Sequence, residues 1–190
     1  MTLKWGNTVV TAVKWGSTNC TTVYWGSTLV FPEGFLGYLT DAWIMYKISS
    51  TYYQINSTSY TYNSNRYATV DAANRTVKCK TSSGYQMDVA LVTNRAISIS
   101  GSVSVTVTTN ANNNSYNPRF MYSTSKPTLY SGGTTTLRNT IEITHKVSSS
   151  SNQLNNNTAK SFSLSGNYYI GVALRVLSDG EYYATITAMK

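Results

Sequence analysis

Three copies of one short phrase, spaced ten residues apart, constrain this chain more than any other feature. The copies read KWGNT at 4–8, KWGST at 14–18 and YWGST at 24–28. Three of the four tryptophans therefore occupy the same position of the phrase. A repeat this short cannot bury a core by itself, so it has to stack, pair or dock on something else. The repeat favours an element of assembly or attachment over a catalytic element.

The spacing within the repeat favours β structure. Val13 and Trp15 are two residues apart, as are Val23 and Trp25, which fits the two-residue period of a strand. Glycine followed by Asn or Ser suits a two-residue type II′ turn, so we predict turns at 6–7, 16–17 and 26–27. Three arrangements remain open. They are a meander with tryptophans on alternating faces, a solenoid or intertwined trimeric β-prism with them in one column, and an N-terminal hairpin of one domain.

The composition of the whole chain indicates an all-β protein. Only 12% of the residues are charged, about half the usual share, and polarity comes from Ser, Thr and Asn. Thr, Tyr and Val favour pleated, half-buried surfaces. A length of 190 residues suits one domain and a small appendage. We predict a β-repeat segment over 1–35 and a β-sandwich, jelly-roll-like, over 36–190.

The clearest strand in the body covers residues 97–107, where apolar residues alternate with Ser and Thr. Its apolar residues are Ile97, Ile99, Val103, Val105 and Val107. Gly101 falls in the apolar phase, which predicts a bend or bulge there. Shorter strands are predicted at 87–91 and 141–143.

The last part of the chain predicts a hairpin. Apolar residues alternate over 170–176 and again over 182–188. A three-residue loop at 178–180 would pair Leu174 with Ala184 and keep both apolar faces together, whereas a two-residue loop would split them. The low-complexity stretches 110–115 and 148–158 contain almost nothing to bury, so we expect exposed loop tips.

Several kinds of site and partner are disfavoured by the sequence. Cys20 and Cys79 are too few for a disulfide framework and are interpreted as small buried hydrophobes. With one histidine and no Cys-x-x-Cys, neither a metal nor a cofactor site is predicted. No apolar run is long enough for a membrane span. The net charge of +8 comes from scattered Lys and Arg, so we expect no nucleic-acid partner but a positive face that meets an acidic shell.

No catalytic residues are predicted. A glycosidase needs two facing carboxyl groups, and the seven acids of this chain include no evident pair. Asp179 fits a turn, and His145 shares the parity of the apolar residues around it, so we interpret it as a core residue. Neither a nucleophile elbow nor a phosphate-binding glycine loop is present. The protein is predicted not to be an enzyme.

The tyrosine-rich segment over 52–67 is the best candidate for contact with a ligand or partner. The residues concerned are Tyr52, Tyr53, Tyr60 and Tyr62, with Tyr67 beside them. Tyrosine offers a rigid apolar ring and a hydroxyl group, which suits both glycans and protein interfaces. The alternative is that these tyrosines are half-buried strand residues.

The repeat and the phrase VFPEGF that closes it at 30–35 resemble terminal segments of virion proteins of crAss-like and other gut Bacteroidetes phages. The resemblance covers residues 3–35, under a fifth of the chain. It implies a structural virion protein, either a head fibre or a capsid decoration protein. Such a protein would be made in the host cytoplasm and lie on the capsid surface, in contact with the major capsid protein or another virion protein.

The attachment and oligomerisation residues predicted on this basis are Trp5, Trp15, Trp25, Val13 and Val23. A homotrimer is expected, because fibres and spikes usually close by cyclic symmetry. The alternative function is a glycan-binding adhesin that holds the phage to host capsule or mucus.

Overall fold

The computed structural model describes residues 35–48, 51–55, 58–111, 117–125, 152–177 and 179–190, together with six short strands within residues 4–31. In the six short strands, in 47–48 and in 51–55 the description is of the backbone alone.

Each copy of the N-terminal repeat forms its own antiparallel strand pair. The six strands are β1 Lys4–Trp5, β2 Thr8–Val9, β3 Lys14–Trp15, β4 Thr18–Asn19, β5 Val23–Trp25 and β6 Thr28–Phe31. The tryptophan of every copy pairs with the threonine three residues later, so two residues separate the strands as a two-residue loop requires. The predicted loop length is confirmed. In the described strands the pairing stays within each copy, and no ladder runs from one copy to the next as a meander would need.

The body begins with a 3₁₀ turn, Leu36–Tyr38, and continues in strands. The strands are β7 Leu39–Ile48, β8 Thr51–Ile55, β9 Ser59–Asn63, β10 Arg66–Asp71, β11 Thr76–Thr81, β12 Gln86–Thr93, β13 Ile97–Thr109, β14 Arg119–Ser123, β15 Lys160–Val176 and β16 Gly180–Met189. Phe35 packs on the core, and its N–H donates to the carbonyl oxygen of Met189 at 2.6 Å. The described body therefore starts at Phe35.

The strands of the body form one antiparallel sheet that is nearly closed into a barrel. Its order is β8-β7-β12-β15-β13-β16-β11-β10-β9, and β14 also pairs with β15. The predicted all-β class is confirmed. The two layers expected of a sandwich belong to this single sheet, with β11 lying against β12 and β15 across the core without pairing to them.

Strand β15 joins the two layers because its halves have different neighbours. Its first half pairs with β13, from Lys160 to Tyr168, and its second half pairs with β12 and β14. Gly166 lies near the change of partner and has a φ of 130°, a conformation that side-chain-bearing residues rarely adopt. At Gly171 a Cβ atom would lie 2.3 Å from the carbonyl oxygen of Leu91, so only glycine allows β12 to approach this closely.

The predicted C-terminal hairpin is wrong. Leu174 pairs with Val89 of β12, whereas Ala184 pairs with Val77 of β11 and Thr109 of β13. Strands β15 and β16 thus leave their connection into opposite layers, and their apolar faces meet across the core instead of side by side. The predicted face of β15 is buried, and that of β16 is buried at Ala184 and Ile186, but at the end of β16 Met189 is buried in place of Ala188. Alternation identifies the buried face of each strand. It is equally compatible with two strands that pair in a hairpin and with two strands that face each other across the core.

Strand β13 confirms the alternation predicted for 97–107. The five predicted apolar residues are buried, while Ser98, Ser100 and Ser102 are exposed. Gly101 has a φ of 101°, yet the pairing with β15 continues through it. The shift of register in this strand lies between Thr106 and Val107, on the side that pairs with β16.

Strand β12 confirms the strand predicted at 87–91 and is buried on both faces. Met87, Val89 and Leu91 belong to the main core. The opposite face contributes Ala90 and Val92 to a second apolar cluster. The other buried members of that cluster are Trp43, Met45, Met121 and Ala173.

The expectation of exposed loop tips is wrong for part of both low-complexity stretches, since Ala111 in the first is buried. Leu154 is fully buried in the main core, and Asn152 is buried with its amide donating to the carbonyl of Phe120 at 3.1 Å. Asn155 to Thr158 are exposed as predicted. Residues 112–116 of the loop after β13, and 148–151, lie outside the described residues, as do Ile141, Ile143 and His145.

Cys79 confirms its interpretation as a small core residue. It is a fully buried free thiol, and burial raises its pKa well above the ordinary value. The thiolate is therefore disfavoured at this position. Cys20 lies outside the described residues.

Candidate ligand-binding cleft

A cleft lined by tyrosines lies where the two ends of the sheet come together. Strands β8 and β9 are the last strands on either side, and β7 and β9 share no backbone ladder. Side chains connect them instead. The rings of Tyr46 from β7 and Tyr60 from β9 stack with centroids 4.2 Å apart and planes 12° apart. Stacked aromatic pairs of this kind add to the energy of burial.

The cleft is shallow: its cavity volume is about 10 Å³, and the total reaches about 230 Å³ only when the open space at its mouth is included. The residues that line it are Tyr46, Tyr60, Tyr62, Arg66, Thr81, Tyr85, Gln86 and Met87. They come from β7, the β9–β10 hairpin, the end of β11 and the start of β12. The lining is mainly aromatic with a few polar groups, which is the usual composition of a ligand site.

Strand pairing explains why Tyr60 faces the cleft. Tyr60 lies opposite Ala68, and Ala68 and Val70 of β10 are buried in the core. Residues opposite one another in an antiparallel pair share a face, so Tyr60 lies on the inner face with them. It is half-buried, as expected at the border of the core.

A register shift sets Tyr62 apart from its neighbours. Arg66 pairs with Asn63, but Tyr67 pairs with Thr61, so the ladder skips Tyr62. This is the geometry of a β-bulge, which re-aims a side chain and is common beside functional sites. Tyr62 is 58% exposed and is a large exposed ring at the mouth of the cleft.

Arg66 lies between two of the tyrosine rings. Its guanidinium carbon is 3.2 Å from the ring centroid of Tyr85 and 5.3 Å from that of Tyr62. Its Nε donates to the hydroxyl of Ser82 at 2.9 Å. A guanidinium held over aromatic rings gains cation–π energy and keeps a defined plane.

The electrostatics of the cleft combine one positive charge with neutral hydroxyls. Burial raises the pKa of Tyr60, the hydrogen bond with Tyr46 raises it further, and the charge of Arg66 opposes both to a smaller extent. The Tyr60 hydroxyl therefore stays protonated and able to donate. None of the described residues that line the cleft is an acid, so no lining carboxylate balances Arg66.

The tyrosines predicted from the sequence have different fates. Tyr60 and Tyr62 come together in the cleft. Tyr52 and Tyr53 pair with Lys47 and Tyr46 through the backbone of β8, but their side chains lie outside the described residues. Tyr67 lies on the outer face, where its hydroxyl contacts the Glu181 carboxylate.

The sequence analysis missed Tyr46, Arg66 and Tyr85. Arg66 follows Tyr62 across the short Asn63–Asn65 turn, so a hairpin prediction at Asn-Ser-Asn would have placed it nearby. Tyr85 and Tyr46 come from distant segments, and only the order of strands in the sheet brings them to the cleft.

The attachment residues predicted in the repeat lie in or beside the short strands. Trp5, Trp15, Val23 and Trp25 belong to β1, β3 and β5. Their side chains, and Val13 as a whole, lie outside the described residues. The structure therefore defines the register of the tryptophans and not their contacts.

The acids of the body take part in local contacts. Asp71 accepts hydrogen bonds from the Asn74 backbone at 3.0 Å and from the Asn74 side chain at 2.7 Å. These two bonds lower the pKa of Asp71. Asp88 binds Arg175, with Nε to Oδ1 at 2.8 Å, and Asp179 accepts from the backbone of Ser83 at 2.8 Å. Within the described part of the chain, no three metal-ligating side chains of His, Cys, Asp or Glu lie together.

Comparisons with known proteins give no relative from which a function could be transferred. No family model, no curated protein and no solved structure matches this chain. The described residues include no helix long and apolar enough to cross a membrane.

Proposed function

We propose that the protein is a non-enzymatic structural protein of the virion surface, a head fibre or capsid decoration protein attached through its N-terminal repeat. The observation that supports this proposal is the threefold recurrence of one strand pair. In all three copies the tryptophan pairs with the threonine three residues later, with two residues between them. The resemblance of the repeat to terminal segments of phage virion proteins supplies the biological setting.

The size of the repeated unit explains why it needs a partner. An isolated two-stranded hairpin is marginally stable in water, and its edges leave backbone donors and acceptors unpaired. Three such units in series offer three equivalent contacts to one surface. Linked contacts raise the overall affinity far above that of one copy. The major capsid protein or another virion protein is the proposed partner, and the net charge of +8 suits an acidic shell.

Removal of the repeat tests the attachment. The truncation has to end at residue 34, because Phe35 packs on the core and binds Met189. The truncated protein should remain soluble and folded by circular dichroism but should no longer join particles. A full-length variant with Trp5, Trp15 and Trp25 replaced by alanine is the matched control for chain length. Full occupancy of the truncated protein on virions would contradict the proposal.

Glycan binding is a second candidate function, favoured by the exposed ring of Tyr62 beside Arg66 in an open cleft. A protein that holds a phage to host capsule or mucus needs such a site on the part that faces away from the capsid. Binding of the purified protein to immobilised host capsule should fall in a Tyr62→Ala variant. Equal binding by both proteins would remove this candidate.

A further inference from the structure

The arrangement of Arg66 leaves part of its hydrogen-bonding capacity for a ligand. An arginine side chain has five N–H donors in one plane. The Tyr85 ring covers one face of the guanidinium at 3.2 Å, and Nε donates to Ser82. Neither contact uses the two terminal nitrogens. No hydrogen-bond partner of these two nitrogens is found among the described residues, and a fork of two such nitrogens matches the two oxygens of a carboxylate.

The surroundings favour an anion at this position. Arg66 is half-buried, and no acid is found among the described residues lining the cleft. The nearest strand acid along β12, Asp88, is engaged by Arg175 at 2.8 Å and by the amide of Gln86 at 2.9 Å. Charge in a partly enclosed, aromatic-lined site acts more strongly than the same charge in water.

The ring of Tyr62 provides the remaining requirement of a sugar site. It is 58% exposed, and its guanidinium neighbour is 5.3 Å from the ring centroid. A sugar placed on this ring would bring a carboxyl substituent within range of Arg66. The Tyr60 hydroxyl, which is hydrogen-bonded with Tyr46, lines the same cleft.

We propose that the cleft binds a uronic acid unit within a glycan, with Arg66 holding the carboxylate and Tyr62 stacking on the sugar ring. This proposal rests on the second candidate function and specifies the class of glycan. A uronic acid is a six-membered sugar ring that carries a carboxylate.

The test compares a hexamer of galacturonic acid with its methyl ester and with a neutral galactose oligomer, by calorimetric titration of the full-length protein. Wild type should bind the acid at least about tenfold more tightly than the ester, because a hydrogen-bonded charge contributes more than a neutral contact. The affinity for the acid should also fall with added salt.

Variants locate the effect in the cleft. Arg66→Gln should weaken binding of the acid by about 10- to 100-fold and leave binding of the ester unchanged. Arg66→Lys retains the charge but not the two parallel N–H donors. Its affinity for the acid should lie between those of wild type and Arg66→Gln. Arg95→Gln is the matched control, because Arg95 also lies over a tyrosine, 4.0 Å from the Tyr38 centroid, away from the lining of the cleft. It should bind like wild type.

The outcomes separate the two levels of the proposal. If the ester binds as tightly as the acid, the carboxylate preference is wrong while glycan binding stands. If none of the three oligomers binds, the carboxylate proposal is overturned, and the capsule-binding comparison of wild type with Tyr62→Ala decides separately whether glycan binding stands. The comparison of acid and ester uses wild type alone, so it decides the question even if an Arg66 variant does not fold.

Discussion

At the residue scale, Asp88 and Arg175 form a buried ion pair. Each side chain compensates the charge of the other. The two residues lie directly opposite each other in β12 and β15, and their side chains are 5% and 14% exposed. Two hydrogen bonds join them, at 2.8 and 3.2 Å. Removal of one partner leaves the other charge buried without compensation.

We therefore expect Arg175→Met to lower the free energy of unfolding by about 3–5 kcal/mol at neutral pH. The double variant Asp88→Leu, Arg175→Met should recover most of this loss, because two apolar residues carry no uncompensated charge. Urea denaturation of the three proteins measures both effects. A single variant within about 1 kcal/mol of wild type would show that water reaches Asp88.

A surface cluster on the outer face predicts a modest pH dependence. The hydrogen bond that Lys78 donates to Glu181 at 2.6 Å is the largest cause of the lowered pKa of Glu181, and the hydrogen bond from Tyr67 is the second. The bond between Lys78 and Glu181 also raises the pKa of Lys78. A lowered carboxyl pKa stabilises the fold above the ordinary value of about 4.3, and this contribution disappears as the pH falls through the folded pKa. A raised lysine pKa stabilises below about 10.4, and this contribution disappears as the pH rises through the folded pKa.

Glu181→Gln should therefore lower stability most between about pH 5 and 10, and the difference from wild type should shrink on both sides. The side chains of Lys78 and Glu181 are 38% and 39% exposed, so the effect at pH 7 should be below about 1 kcal/mol. Urea midpoints at pH 3, 7 and 11 would follow it. Because exposed pairs are screened, 1 M salt should reduce the difference at pH 7, and a difference independent of pH would contradict the assignment.

At the scale of elements, the segment 152–157 is a strap that closes one end of the core. Its backbone binds Pro118 through Leu154 and Val107 through Asn157, both at 2.8 Å. The Asn156 side chain accepts from the backbone of Thr109 at 2.9 Å. Isolated β-bridges from Gln153 to Arg119 and from Asn156 to Val107 add to these contacts, while Leu154 is buried in the main core.

Leu154→Ala should lower the free energy of unfolding by about 2–5 kcal/mol, because it opens a cavity in a closely packed core. Leu177→Ala is the matched control, since Leu177 is 41% exposed, and should change stability by less than about 0.5 kcal/mol. Thermal and urea denaturation compare the pair. Equal stability of the two variants would mean that the strap does not contribute to the core.

The sequence predicts which face of a strand is buried. It does not predict which other strand pairs with it. Alternation identified the buried faces of β13 and of both C-terminal strands, because it reports which side chains avoid water. It could not tell that β15 divides its length between β13 and β12, since pairing depends on the path of the whole sheet. The same limit applies to the cleft, where Tyr60 and Tyr62 belong to one local segment but Tyr46 and Tyr85 arrive through the topology.

At the scale of the whole molecule, the chain has a body that buries its own core and a repeat whose strand pairs do not share ladders with it. The described strands of the body pair among themselves and bury one core, so we expect the body to fold without the repeat. In the described strands, the ladders of the repeat stay within each copy, and we propose that the repeat gains its further partners from other chains. Such a division of roles would suit the attachment proposed above.

Trimer formation through the repeat is the prediction that belongs to this scale. Three chains around one axis would give each tryptophan apolar neighbours and pair the free strand edges. Trp15→Ala removes the central copy, and loss of a buried tryptophan costs about 3–5 kcal/mol, enough to shift a subunit equilibrium by orders of magnitude. Light scattering should give a wild-type mass of three chains and a lower mass for Trp15→Ala at the same concentration, with an unchanged melting temperature of the body. A wild-type mass of one chain, unaltered by the substitution, would exclude the trimer.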